Sequence, residues 1–289
     1  MATAAMEGAG AGGTSAAETA EVDFLFDGKV VMVTGAGGNF GRAGGVYFAK
    51  SGADVVLCDV AEGPLKEAEE EVKTYVKEGR RVMAITCDIT DAEKVKEVVD
   101  NVVGTLGRID HLWNNAGYQG LMKPTHEYPV EDFARVMNIN VVGSFCVLQA
   151  VAKSMIDKGI HGTIVNTASV AALRGTPTMS AYASSKAAII TLTISTAKDL
   201  APYNIRVNAV SPALIGPGHM WTRQNTLHAE SGSPYFSRDA DEVAAAKVNS
   251  VPMKRLGTID EVVQSVAFLL SRASSYTTGT NLVIAGGLA

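Results

Sequence analysis

From Gly28 onward, short apolar runs rich in β-branched residues alternate with longer stretches whose apolar positions recur at helical spacing. Seven runs read as strands: Lys29–Thr34, Asp54–Asp59, Arg81–Asp88, His111–Asn115, Thr163–Thr167, Ile205–Ser211 and Asn281–Ile284. They are nearly continuous in apolar residues rather than alternating, the pattern of strands covered on both faces. The stretches between them carry helix signals. Pro64 suits a first helical position. Thr90 with Glu93, and Thr258 with Glu261, have the spacing of capping boxes. Gly52, Gly79 and Gly107 suit helix ends. Alternation repeated this often implies right-handed crossovers and one doubly wound, Rossmann-type α/β domain: a seven-stranded parallel sheet with helices on both faces. One interval breaks the rhythm. Pro212 to Pro252 holds Gly216, Pro217, Gly218, Gly232 and Pro234 among aromatic and polar residues. So long an insertion is either a disordered loop or a binding lid, and Trp221, Tyr235 and Phe236 favour the lid.

The first 23 residues are Ala, Gly, Thr, Ser and Glu with almost no large apolar side chain, and read as a disordered tail. The tail is drawn over residues 1–26 and the folded domain over 27–289. The tail has acids and no arginine, unlike a mitochondrial transit peptide, and no apolar core for a secretory signal. The terminal Gly287-Leu288-Ala289 is not a peroxisomal address, and no apolar run reaches the ~20 residues that span a bilayer. A cytoplasmic protein is expected. The net charge of -5 argues against nucleic acid or an anionic membrane as a main partner. Cys58, Cys87 and Cys146, at unrelated spacings, read as small buried residues in a reducing compartment. The histidines make no ligand-spaced pair, so no metal site is expected.

Candidate chemistry lies at the ends of these elements. Thr34 to Gly41 is a Gly-rich turn between the first strand and a helix, where backbone amides and a helix N-terminus can approach a pyrophosphate. Asp59 ends the second strand, where a carboxylate can accept hydrogen bonds from both ribose hydroxyls of an adenosine. A 2′-phosphate would meet like charge there, and Gly38 and Val60 supply no neighbouring cation, so NAD is favoured over NADP. Asp88 and Asn114-Asn115-Ala116-Gly117 mark the same carboxyl edge of the sheet. Farther along, Lys186 follows Tyr182 by four residues, on one face of a helix. A phenol titrates at about 10, and a nearby ammonium favours its phenolate, making it able to exchange a proton near neutrality. Ser169 can hydrogen-bond a reacting oxygen against Tyr182.

In order and spacing, Thr34 to Gly41, Asn114 to Gly117, Asn140, Ser169, Tyr182 to Lys186, and Arg206-Val207-Asn208 ahead of Ser211-Pro212 resemble the short-chain dehydrogenase/reductase family, from Asp27 to Gly287. The resemblance implies that Tyr182 acts as base in alcohol oxidation and as acid in ketone reduction. It implies that Lys186 holds the nicotinamide ribose and lowers the Tyr182 pKa, that Ser169 orients the substrate oxygen, and that Asn140 holds the water of a proton relay. Gly35, Gly37, Gly38, Phe40, Asp59, Asp88, Ile89, Asn115 and Ile215 match positions that line the cofactor in that family. Taken singly, Asn140 also fits a buried helix-kink residue, and Ser169 a strand-end hydroxyl.

Within the family the chain is more similar to bacterial NAD-dependent xylitol dehydrogenases, notably over Asn114 to Gly120, Gly216 to Trp221 and Ser233 to Ser237. This implies oxidation of a polyol such as xylitol to the ketose xylulose. Tyr118, Gln119, His219, Trp221, Arg223 and Gln224 are then candidates for the substrate pocket, or equally for packing of the lid. The rival readings are a carbonyl reductase of the 3-oxoacyl or steroid type and a non-catalytic dinucleotide sensor. A homodimer or homotetramer is expected, through the helices that carry Asn140 and Tyr182. The chain departs from the family pattern at Asn39, Ala213, Pro217 and Ala285. Asn39 replaces a glycine and is expected to tolerate a left-handed backbone.

Overall fold

The computed structural model describes residues 24–289, the side chain of His219 excepted. The expected tail, residues 1–23, lies outside the described residues. The domain starts earlier than the drawn boundary, because Phe26 is 1% exposed and packs edge-on to Phe48.

Seven parallel strands form one sheet in the order β3-β2-β1-β4-β5-β6-β7. They are β1 (Val30–Thr34), β2 (Asp54–Asp59), β3 (Val82–Thr86), β4 (His111–Asn114), β5 (Thr163–Thr167), β6 (Arg206–Pro212) and β7 (Asn281–Ile284). Each matches an expected run to within about two residues. The helices are α1 (Asn39–Lys50), α2 (Glu62–Lys73), α3 (Ala92–Leu106), α4 (Val130–Met137), α5 (Ser144–Asp157), α6 (Ala171–Arg174), α7 (Ser180–Leu200), α8 (His219–Glu230), α9 (Ala240–Ser250) and α10 (Ile259–Leu270). Strand β1 shows why its run is apolar throughout: side chains alternate between faces. Val30 and Met32 enter the core on the side of α3 and α5, with Val95, Val99, Leu148 and Val151. Val31 and Val33 enter the core on the side of α1, α2 and α10, with Phe48, Leu65 and Val266. The chain reverses its direction of travel across the sheet between β1 and β4. The carboxyl ends of those strands open the crevice in which such folds bind ligands.

Several local expectations shift. Asp91, rather than Thr90, caps α3 by accepting a hydrogen bond from Lys94 N, at 3.0 Å. Thr90 is committed elsewhere, its amide and hydroxyl both donating to Asp88 Oδ1. Pro64 is the third residue of α2, and Gly79 lies in a turn well past the end of that helix. The capping box of Thr258 and Glu261 forms as expected. The Pro212–Pro252 interval is mostly helical, built from α8 and α9. A six-residue π-helical turn, Asn138–Gly143, joins α4 to α5, so Val130–Asp157 is one 28-residue helical rod, apolar and long enough to cross a membrane by length and composition. The sequence shows no such run because Asn138, Asn140, Gly143 and Ser144 interrupt the apolar residues. In the fold Val147, Leu148, Val151, Ala152 and Met155 of this rod are core.

Thr258→Ala removes one side-chain cap from α10 and is expected to cost about 1 kcal/mol. For a domain of this size that lowers the Tm by about 2–4 °C. Thermal denaturation followed by circular dichroism checks it, with Glu261→Gln as a companion that leaves the Thr258 cap in place.

Candidate active site

The Gly-rich turn is shaped by what a side chain would strike. Gly35 has a φ of 66°, and a Cβ there would lie 2.9 Å from Ala116 Cα. A Cβ on Gly37 would lie 2.9 Å from that of Pro64, and one on Gly41 would collide with the Gly35 carbonyl. Only glycine lets β1, β4 and α1 close this tightly. Gly38 occupies the N-cap of α1 with no side-chain cap, leaving the positive helix end free for an anion. Asn39 is the first helical residue and has no left-handed backbone, so the expected reliance on a tolerated positive φ is unnecessary. Asp59 anchors the other side of the turn: Oδ2 accepts from Gly37 N and Oδ1 from Ala61 N, both at 2.9 Å. A carboxylate that faces a glycine-lined cradle fits the adenosine half of NAD.

A buried polar network crosses the sheet edge. Thr34 Oγ1 accepts from the amides of Asn115 and Ala116 at 2.9 and 3.0 Å. Thr167 Oγ1 accepts from Trp113 Nε1 at 2.9 Å and donates to Asn115 Oδ1 at 3.2 Å. The Thr167 carbonyl then accepts from Lys186 Nζ at 2.7 Å. The Lys186 side chain is buried, and desolvation lowers its pKa to about 8, leaving it mainly cationic at neutral pH.

Tyr182, one turn before Lys186 on α7, has its hydroxyl hydrogen-bonded to Ser169. Burial pushes the phenol above its ordinary pKa, and the Ser169 hydrogen bond opposes that shift. The expected lowering by Lys186 is therefore not the dominant influence in the protein alone: the ammonium lies 5.7 Å from the Tyr182 ring centre and donates to Thr167. Asn140 sits fully buried in the π turn. It donates to the Tyr118 carbonyl at 2.8 Å and to Ser185 Oγ at 2.9 Å, and accepts from Tyr118 N at 2.7 Å. Ser185 passes this link on by donating to the Tyr182 carbonyl at 2.7 Å. Gly117 lies between Asn140 and Lys186, since a Cβ there would sit 3.3 Å from both Asn140 Oδ1 and Lys186 Nζ. Asn140 is thus both part of the π turn and a neighbour of Lys186.

Beside this network lies a cavity of about 530 Å³, whose lining does not include the fully buried Asn140. It brings together Gly35, Gly38, Phe40, Asp59, Asn115, Ser169, Tyr182, Lys186 and Ile215. Gly37 lies beneath the wall, holding Asp59. Ile89 is instead a core residue packed under Gly143, and Asp88 is occupied by Thr90. Of the substrate candidates, Gln119, Trp221 and Gln224 reach the cavity, whereas Arg223 is not in its lining. Tyr118 is not in the lining either; its hydroxyl donates to Asp132 at 3.3 Å, and Arg135 lies over its ring. The His219 side chain lies outside the described residues. Sequence reasoning missed His228 and Lys247, which both line the cavity. The available signal was the spacing of Trp221, Gln224, Asn225 and His228, one face of a helix. Arg206 and Asn208, part of the motif, are structural: they tie β6 to the Thr277 carbonyl and to residues ahead of β7.

Residues 35–289 match a family model described as enoyl-(acyl carrier protein) reductase. Among solved structures, an NAD+-bound xylitol dehydrogenase is 52% identical with a TM-score of 0.88, over 91% of this chain and 99% of that one. A 3-oxoacyl-[acyl-carrier-protein] reductase of Thermotoga maritima is 37% identical over 91% of this chain and 98% of its own length. An NAD-dependent glycerol dehydrogenase of Listeria innocua is 36% identical over 92% of this chain and 95% of its own. Together with the sheet order and the Ser169, Tyr182 and Lys186 constellation at the sheet edge, these matches establish that the chain belongs to the short-chain dehydrogenase/reductase family.

Proposed function

We propose that the protein, an NAD-dependent oxidoreductase of CH–OH groups, oxidises a polyol such as xylitol to the corresponding ketose, xylulose. The observation that carries this reading is the convergence of the Tyr182 and Ser169 hydroxyls and the Lys186 amine in the cavity that also holds Asp59 and the glycine turn. The polyol itself is supported by the 52% identity to a xylitol dehydrogenase and by Gln119, Gln224 and Trp221 in the wall. Hydroxyl-rich ligands call for converging polar groups beside an aromatic surface.

NAD, when bound, supplies the hydride acceptor. Gly35, Gly38 and the α1 N-terminus would hold its pyrophosphate, Asp59 its adenosine ribose, and Lys186 its nicotinamide ribose. Ser169 orients the substrate hydroxyl, and Tyr182 removes its proton. In this reading Asn140, across Gly117 from Lys186, would hold a water that carries the proton away. Burial keeps the Tyr182 phenol protonated, the form needed to donate to a carbonyl oxygen; oxidation needs the phenolate. The assembly is a homodimer or homotetramer in this reading. Phe133, Val142 and Phe145 on the 28-residue rod and Ile194 on α7 support it as exposed apolar residues on the two helices expected to pair.

Tyr182→Phe is expected to lower kcat for xylitol by about a thousandfold or more, within the range of an acid–base group, while NAD binding measured by calorimetry persists. Because the base form is the minority species, oxidation by the wild type should accelerate as pH rises through the alkaline range and ketose reduction should slow. A stopped assay of both directions reads this. Turnover of a 3-oxoacyl thioester without turnover of any sugar alcohol would replace the polyol reading with the carbonyl-reductase one. Asp59→Asn should raise KM for NAD by about 10–100-fold, the loss of a charge-assisted hydrogen bond of ~1.5–3 kcal/mol, and narrow the preference over NADP in parallel assays. Light scattering should give two or four chains per particle, and Phe133→Asp with Phe145→Asp should shift it to one.

A further inference from the structure

The lid carries a polar cluster that the proton-transfer group does not use. From α9, Lys247 Nζ donates to Asn225 Oδ1 of α8 at 2.7 Å and lies 2.8 Å from His228 Nδ1 and 5.5 Å from the Trp221 ring centre. A charged Lys247 donates to His228 Nδ1, which places the ring proton on Nε2; the His228 ring also hydrogen-bonds the Gln224 backbone. That Nε2 is buried without a protein partner. Burial and the neighbouring Lys247 lower the His228 pKa to about 4, so the ring is neutral. Two of the Lys247 hydrogens are directed to Asn225 and His228, and one remains. Lys247 is half-buried, and burial lowers its pKa to about 8; no carboxylate acts on it among the described residues. A cation taken partly out of water gains from an anionic partner.

The rest of the wall has the same polarity. Among the described residues, Asp59 is the one acid in the cavity lining, and it belongs to the nucleotide turn. On the side of Tyr182 and Ser169 the ionisable residues are Arg174, Lys186, His228, Tyr235 and Lys247. A neutral polyol can offer Lys247 a hydroxyl oxygen but no counter-charge. We propose that Lys247, held by Asn225 and His228, binds a carboxylate on the end of the substrate remote from the reacting hydroxyl, so that polyhydroxy acids are substrates alongside neutral polyols. One ammonium beside a neutral imidazole matches the single charge of a carboxylate; a phosphate monoester would bring nearly two. The inference rests on the dehydrogenase reading. The chemistry is unchanged: the carbinol C–H leaves as hydride to NAD+ and the hydroxyl proton goes to Tyr182, giving keto acid, NADH and a proton, while the carboxylate takes no part.

The test uses the full-length protein with NAD and three matched probes: xylitol, the aldonate xylonate, and a xylitol phosphate. It compares wild type, Lys247→Met and Lys247→Arg, and adds calorimetric titration of xylonate into protein saturated with NADH. The expected result is oxidation of xylonate, a fall of at least tenfold in its kcat/KM relative to that for xylitol in Lys247→Met, a matching rise in the xylonate Kd, and partial rescue in Lys247→Arg. An equal loss on xylitol and xylonate in Lys247→Met overturns the proposal, because Lys247 then only joins α8 to α9. Oxidation of xylitol with no binding or turnover of xylonate overturns it too, as does a clear preference for the phosphate. If no alcohol of any kind is oxidised, the dehydrogenase reading fails instead, and the xylonate titration still decides whether Lys247 holds the anion.

Discussion

A lysine that is 4% exposed, with no carboxylate acting on it among the described residues, is the constraint around which the sheet edge is arranged. Removing such a charge from water is costly unless hydrogen bonds replace its hydration. The Thr167 carbonyl is the protein acceptor that meets it, at 2.7 Å. Thr167 is in turn held by Trp113 and Asn115, and Asn115 by Thr34. The ends of β1, β4 and β5 are thereby locked in register around one cation. Gly117 leaves the space beside it, between the amine and Asn140, that any larger residue would fill.

The two faces of the sheet serve this edge differently. On one face α1, α2 and α10 fix the glycine turn by apolar contact, with Val31, Val33, Phe48 and Val266 in one core. On the other, the rod that contains the π turn must be at once a core helix and the source of Asn140. The π turn meets both demands, since the extra residue lets the apolar face of α5 continue into the core while Asn140 turns toward Tyr118 and Ser185. Ser185 then couples the rod to α7 one turn from the phenol. Helix packing thus sets the placement of Asn140, Tyr182 and Lys186, while Ser169 comes from the loop between β5 and α6.

The strands were legible because burial on both faces leaves little choice of residue, as β1 and β2 illustrate with nearly unbroken apolar runs. The site was legible where backbone sterics or helix spacing dictate the residue: Gly35 and Gly41 by close approach, Tyr182 and Lys186 by one helical turn. What escaped has a different physical origin. Thr90 and Asp91 are adjacent polar residues, and only the Asp88 carboxylate, by taking both Thr90 donors, decides which of them caps α3. Tyr118 has the chemistry of a pocket residue, but Asp132 captures its hydroxyl from a helix that no local pattern places there. Asp88 and Ile89 carry the family spacing; in the structure Asp88 Oδ1 closes a turn with Thr90, and the Ile89 side chain is core. Lys247 is a lone cation in sequence, and its meaning arises when α9 folds against α8.

The distribution of charge along the cavity follows from these same elements and gives it direction. Its acid is at the end of β2, fixed by two backbone amides, where it excludes a 2′-phosphate and welcomes neutral hydroxyls. Its amines are Lys186, on α7 at the sheet edge, and Lys247, on α9. The two are distinguished by their acceptors: a backbone carbonyl for Lys186, and neutral side chains for Lys247. A backbone carbonyl belongs to the rigid sheet and keeps Lys186 in place whatever the lid does. The Lys247 partners belong to α8, so the orientation of that amine depends on how α8 and α9 pack. A change of sequence in α8 or α9 would therefore reorient Lys247 without touching the sheet-edge contact that holds Lys186.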